Sequence, residues 1–140
     1  MTTAIKQIDK SNTDLKNFID NIGESVNTFT YFNSRDVTVI DNHILTVLLY
    51  KNKEPIGYGH LDQDNGIIWL GICVIEKEIG KGYGKKIMKS LLDFADKKKL
   101  SLKLSVNRNN LAAQKLYKHF DFVKIYETQS NIFMNRYYED

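Results

Sequence analysis

A single cysteine, Cys73, in 140 residues leaves no disulfide framework to hold the chain together. The N-terminus carries no basic-then-apolar signal and no apolar run is long enough to span a bilayer, so no membrane partner is expected. A reducing cytoplasm is the expected setting. Charge of one sign is also scarce: twenty Lys and Arg against seventeen Asp and Glu give a formal +3, too little to point to a nucleic-acid partner. The histidines, His43, His60 and His119, are scattered, and Cys73 has no companion at ligand spacing, so no metal site is expected. The remaining composition, 42% hydrophobic and 26% charged, excludes disorder, and the length suits one core and one domain over residues 1–140.

Most of the information lies between Ile67 and Ala95. Residues 67–75 are almost wholly apolar and rich in β-branched and aromatic types, which predicts a strand buried on both faces. An acidic link, Glu76-Lys77-Glu78, leads to Ile79-Gly80-Lys81-Gly82-Tyr83-Gly84-Lys85, and then Ile87, Met88, Leu91, Leu92 and Ala95 recur at helical spacing. The order is strand, glycine loop, helix. Three glycines in five residues clear the backbone of side chains, permit positive φ and leave N–H groups free at a helix start, where the helix dipole also favours an anion. A flexible turn is the plain alternative. From Lys77 to Lys103 there are nine lysines against Glu78, Asp93 and Asp96, a local excess of +6 that would draw a ligand with several phosphates. Lys97-Lys98-Lys99 reads simply as a solvated helix end.

Two phosphate loops do not fit. The P-loop needs four residues between its first glycine and Gly-Lys, where only three separate Gly80 from Gly84. The dinucleotide fingerprint needs a further glycine or alanine where Lys85 stands. The segment instead resembles the acetyl-CoA-binding motif of the GNAT superfamily of N-acetyltransferases, Gln/Arg-x-x-Gly-x-Gly/Ala after a central strand. Gly82 and Gly84 match its glycines and Val74 its strand residue, whereas Ile79 stands where the family has Gln or Arg. The resemblance implies that Lys81 or Lys85 offsets the contact missing at Ile79.

The rest of the chain supplies the frame. Residues 2–9 read as a first strand, Ser11 or Thr13 as the cap of a helix through Ile22, and 24–32 as a second helical segment. Strands over 44–50 and 55–62, separated by polar turns at 51–54 and 63–66, predict an antiparallel meander with the central strand. Gly57 and Gly59 weaken their strand unless something approaches closely. His60 and Asp62, two apart, share a face; each can accept a proton if that face lines a cleft, or be structural. Residues 101–106 read as a strand parallel to the central one. Asn107-Arg108-Asn109-Asn110 then caps a helix carrying Ala113, Leu116, Tyr117 and Phe120, and a closing hairpin follows at 123–126 and 132–138. This block resembles the family's second signature, Asn-x-x-Ala-x-x-x-Tyr then Gly-Phe, through Asn110, Ala113, Tyr117 and Phe122. Asp121 replaces the glycine and, as an aspartate, tolerates the left-handed conformation.

Together the two signatures imply a mixed α/β fold of GNAT type: a mostly antiparallel sheet with one parallel, splayed strand pair and flanking helices. They imply an acetyl-CoA-dependent N-acyltransferase acting by direct transfer on a primary amine, with aromatic residues favouring a small molecule. A strand bulge is expected at Gly71, with the backbones of Ile72 and Val74 holding pantetheine. Ile79, Gly80, Lys81, Gly82, Tyr83, Gly84 and Lys85 would bind the pyrophosphate end, with Asn110 near the cofactor. Tyr31, Phe32 and Arg35 are the candidate acceptor contacts. Tyr117 is the candidate acid toward sulfur; Asp62, His60 or Glu76 is the candidate base. A non-catalytic acyl-CoA-binding module and a basic nucleic-acid-binding domain are the alternative readings.

Overall fold

The computed structural model describes residues 2–27 and 29–139. In chain order the regular elements are β1 (Thr3–Gln7), α1 (Asp14–Asp20), β2 (His43–Lys51), β3 (Glu54–Asp64), β4 (Ile67–Val74), α2 (Tyr83–Lys97), β5 (Leu102–Asn107), α3 (Leu111–His119), β6 (Val123–Glu127) and β7 (Asn131–Arg136). The strands make one sheet in the order β1-β2-β3-β4-β5-β7-β6. All neighbours are antiparallel except β4 and β5. The meander follows from its turns: Asn52 and Lys53, then Asn65 and Gly66, all have positive φ, the pairing that two-residue hairpins require. Because α2 links β4 to β5 across the sheet, those two strands run parallel.

Helix α2 buries Ile87, Met88, Leu91, Leu92 and Ala95, the face its spacing predicts. It lies so close to β3 that a Cβ on Gly57 or Gly59 would stand 2.6 Å from Ile87. The close approach anticipated at those glycines is thus a helix. On the other face, α1 contributes Leu15 and Phe18, with the Phe18 ring 6.0 Å from that of Tyr58.

Four expectations are corrected. The α1 cap is not a Ser11 or Thr13 side chain: Thr13 holds the N-cap position without a side-chain bond, and Asn12 Oδ1 accepts from the Asp14 N–H at 2.7 Å. Residues 24–32 do not form one helix but two 3-10 turns, Gly23–Asn27 and Tyr31–Asn33. The cause is the aromatic cluster: Phe29 and Phe32 both pack on Tyr58, at 5.5 and 5.4 Å, while Tyr31 packs on His60 at 4.4 Å. A regular helix would send neighbouring side chains 100° apart, away from one sheet face. Strand β4 is not buried on both faces; only Leu70 and Cys73 within it are buried, because one edge opens on a cleft. Finally, the β3–β4 ladder runs without a register shift, so no bulge marks Gly71 there. Its reason is steric: a Cβ on Gly71 would lie 2.5 Å from His60 Nε2, its partner across the ladder.

Candidate active site

Strands β4 and β5 are paired at one position, Trp69 with Lys103, and then separate. The Ile75 N–H donates to Ile56 O at 2.9 Å, which fixes the alternation along β4: residues 69, 71, 73 and 75 bond to β3. Leu70, Ile72 and Val74 therefore turn their amides toward the gap. Ser25 Oγ donates to Val74 O at 2.9 Å, so at Val74 it is the N–H that faces the opening. A cavity of about 600 Å³ occupies the wedge.

At one end of the cavity stands the glycine loop. Gly80 and Gly82 have φ of +87° and +85°, and nothing lies within 4 Å of where their Cβ atoms would be. Gly82 is the N-cap of α2 and offers no side-chain bond, so this loop stands at the positive end of the helix dipole. Gly84 serves packing instead, since a Cβ there would meet Leu116 at 3.3 Å. The Tyr83 ring is buried against the loop, and Ile79, 58% exposed, sits at the rim. Lys81 and Lys85 do not line the cavity. Lys81 is bound to Glu78 at 3.2 Å, and the buried Glu78 also accepts from Lys51 Nζ at 2.9 Å. Those bonds, the one from Lys51 foremost, hold the Glu78 carboxyl below the usual carboxylate range. The triad ties the loop to β2.

Helix α3 closes the middle of the cavity. Asn110 Oδ1 accepts from the Ala113 N–H at 3.2 Å, capping the helix as its sequence predicts, and Asp121 leaves it with φ of +71°. Tyr117 lines the cavity at 7% exposure, with its ring 5.9 Å from Phe122. No partner is seen for its hydroxyl among the described residues. Burial, with a smaller contribution from Cys73, pushes its pKa up to about 12, so the hydroxyl keeps its proton. Cys73 is pushed up to about 12 by burial as well, which keeps it an unreactive thiol.

The far end gathers residues of the aromatic cluster. Tyr31 donates to Asp62 Oδ2 at 3.0 Å and lies 2.7 Å from His43 Nε2; His43 Nδ1 lies 2.8 Å from Thr46 Oγ1. Arg35 Nη1 donates to Tyr31 O at 2.9 Å and its guanidinium stacks 4.3 Å from the Tyr31 ring. His60, 3% exposed, is held by Tyr58 through Nδ1 at 2.7 Å, and burial drives its pKa well down. The histidines are therefore not all scattered: the His43 and His60 rings are 4.6 Å apart. Two other candidates lie outside the cavity lining. Phe32 packs edge-on against Tyr31, and Glu76 accepts from the Glu24 N–H at 3.0 Å, bracing the first 3-10 turn. Ser25, His43 and Thr46 carry no motif of their own. The hairpin turn at 52–53 nevertheless sets His43 opposite Asp62 and Thr46 opposite His60.

A sheet split at its one parallel pair, with a glycine-rich helix start in the split, is the architecture that the resemblance to N-acetyltransferases implies. The family model of the acetyltransferase (GNAT) family matches residues 11–122, and the chain belongs to that family. It is 31% identical over 113 residues to the spermine/spermidine N(1)-acetyltransferase of Bacillus subtilis (strain 168), covering 70% of this chain and 74% of that protein. Among solved structures, the PaiA N-acetyltransferase of Thermoplasma acidophilum, in complex with coenzyme A, superposes with a TM-score of 0.79 at 18% identity, covering 99% and 100% of the two chains. A putative acetyltransferase of Salmonella typhimurium with acetyl-CoA gives 0.74 at 15% identity, covering 100% and 96%. At such identities these two show the shared fold.

Proposed function

We propose that the chain acetylates a primary amine of a small-molecule acceptor, with acetyl-CoA as donor and by direct transfer. The observation that carries this reading is the wedge between β4 and β5, which presents unpaired strand amides between a glycine loop and a pair of polar side chains, Tyr117 and Asp62. The site fits the donor on its own geometry. The open space over Gly80 and Gly82 lets an anion reach backbone, and the positive end of the α2 dipole favours negative charge there. Ile72 and the Val74 N–H offer an exposed strand edge to an amide-bearing chain. Bound acetyl-CoA would supply an activated acyl group as its thioester.

The chain's own residues then have three tasks. The edge of β4 orients the donor and offers an N–H where negative charge develops on oxygen. Tyr117 holds a proton at its hydroxyl where a leaving sulfur needs one. The far end, with Tyr31, Arg35 and Asp62, receives the amine; its carboxylates Asp62 and Asp64 suit a cationic acceptor, and the polyamine specificity in the name of the Bacillus subtilis relative supports a small one. The test is thiol release from acetyl-CoA with a panel of spermidine, glucosamine, an alanine-terminated peptide and Nα-blocked lysine. Turnover fastest on the small amines supports the reading. Acetyl-CoA binding without transfer to any of the four overturns it.

A further inference from the structure

The four side chains Asp62, Tyr31, His43 and Thr46 form a continuous chain of contacts from the cavity to the sheet interior. Its polarity follows from counting protons. Tyr31 has one hydroxyl proton and gives it to Asp62 Oδ2, so at the 2.7 Å contact His43 Nε2 must be the donor. Neutral imidazole carries one N–H, which leaves Nδ1 bare and makes the Thr46 hydroxyl the donor to it. Every bond then points the same way, from buried Thr46 toward the Asp62 carboxylate. Burial lowers the His43 pKa against the smaller raising effect of Asp62, in keeping with a neutral ring. Asp62 Oδ1 has no partner among the described residues, and Asp62 lines the cavity.

We infer that Asp62 is the group that takes the proton of the acceptor ammonium, and that Tyr31, His43 and Thr46 are positioning residues that keep its carboxylate aimed into the cavity. This rests on the amine acetylation proposed above. In the step itself one proton moves from the R–NH₃⁺ nitrogen to Asp62 Oδ1, leaving a neutral amine with its lone pair and a carboxylic acid; the acid returns the proton to solvent after product leaves. The charged and titratable groups around the pair are few. Arg35 overlies Tyr31, and His60 and Asp64 flank Asp62 on β3. From β4 the residue across the ladder from Asp62 is Trp69, and from β5 Lys103 is held over that ring at 5.5 Å. A base is needed because an alkyl amine with a pKa near that of lysine is neutral in only about one molecule in 10³ at pH 7.

The experiment is the pH profile of kcat/KM from pH 6.5 to 9.5 for the wild type, Asp62→Asn and Tyr31→Phe, using the best amine of the panel. The wild type should run nearly level from pH 7 to 9. Asp62→Asn should fall about 10²–10⁴-fold at pH 7 and then climb roughly tenfold per pH unit as solvent supplies the neutral amine. Tyr31→Phe, which keeps the ring, should fall by about tenfold in kcat with KM within twofold, a change expected when one hydrogen bond to the base is lost. Parallel profiles for wild type and Asp62→Asn, with the wild type active, overturn the assignment of the base. A wild type silent on all four amines overturns the acetylation reading instead. Independently of turnover, ¹⁵N spectra of the imidazoles should show His43 protonated at Nε2 only; an Nδ1–H tautomer overturns the chain.

Discussion

Replacing Tyr117 by phenylalanine removes one hydroxyl and keeps the ring that packs against Phe122. In the free protein that hydroxyl has no partner among the described residues, so its loss leaves no group orphaned. The change in stability should stay within about 1 kcal/mol, or roughly 4 °C in Tm at most for a chain of this size. Turnover should respond very differently. With its pKa near 12 the hydroxyl is protonated throughout the neutral range and is placed on the cavity wall, so on the proposed reading its removal deletes the donor to the leaving atom. A positioned acid is worth about 10²–10⁴ in rate, which is about 2.7–5.4 kcal/mol of barrier. The assay is thiol release at saturating acetyl-CoA, with rapid-quench data to establish that the chemical step limits kcat, alongside calorimetry to show donor affinity within a few-fold. A folded variant that turns over at the wild-type rate under those conditions refutes the reasoning and leaves Tyr117 a packing residue.

Three further outcomes follow from the same geometry. Gly82→Val puts a β-branched residue at φ of +85° in the open space over the loop, and should reduce acetyl-CoA affinity at least tenfold by calorimetry while circular dichroism stays native; unchanged affinity removes the loop from the binding site. Gly71→Ala drives a methyl toward His60, which Tyr58 and Tyr31 hold from other sides, and should cost about 1–3 kcal/mol by urea unfolding, whereas a neutral effect means the ring has room to move. Stability should also depend on pH through the two lowered histidines. With folded-state pKa values below the unfolded value of about 6.5, the unfolded chain binds more protons in acid, so the urea midpoint should be level above about pH 7 and decline as pH falls from 6.5 toward 5. A midpoint constant across that interval contradicts neutral burial of His43 and His60.

Much of this molecule is visible in its sequence where local chemistry decides the structure. The apolar spacing of α2, the Asn110 cap, the left-handed exit at Asp121 and the meander turns are all short-range, and each forms where expected. Apart from the α1 cap, which is local, the misreadings have their physical source in contacts between distant segments. Phe29 and Phe32 stand at helical spacing, and only the rings of Tyr58 and His60, the second of which also takes Tyr31, explain why the chain there makes short turns. Gly71 looks like a site for a bulge until His60 is placed opposite it. His43 is the instructive omission, because the hairpin register places it against Asp62 and nothing in its immediate sequence does.

The one-residue junction between β4 and β5 has a consequence for the economy of the whole sheet. Four strands, β1 to β4, are joined to β5, β7 and β6 through a single ladder position, so the seam lacks the bonds that a full parallel pair would make. On the proposed reading, a ligand chain laid along Ile72 and Val74 would act there as a surrogate strand, completing the ladder rather than entering a pocket in a finished body. Holding the two parts of the sheet together would then be work shared between protein and ligand. Such a ligand at a hundred times its Kd adds about 2.7 kcal/mol to stability. Amide protons on the facing edges of β4 and β5 should therefore exchange faster in the empty protein than those along β2 and β3, and slow most when the donor binds.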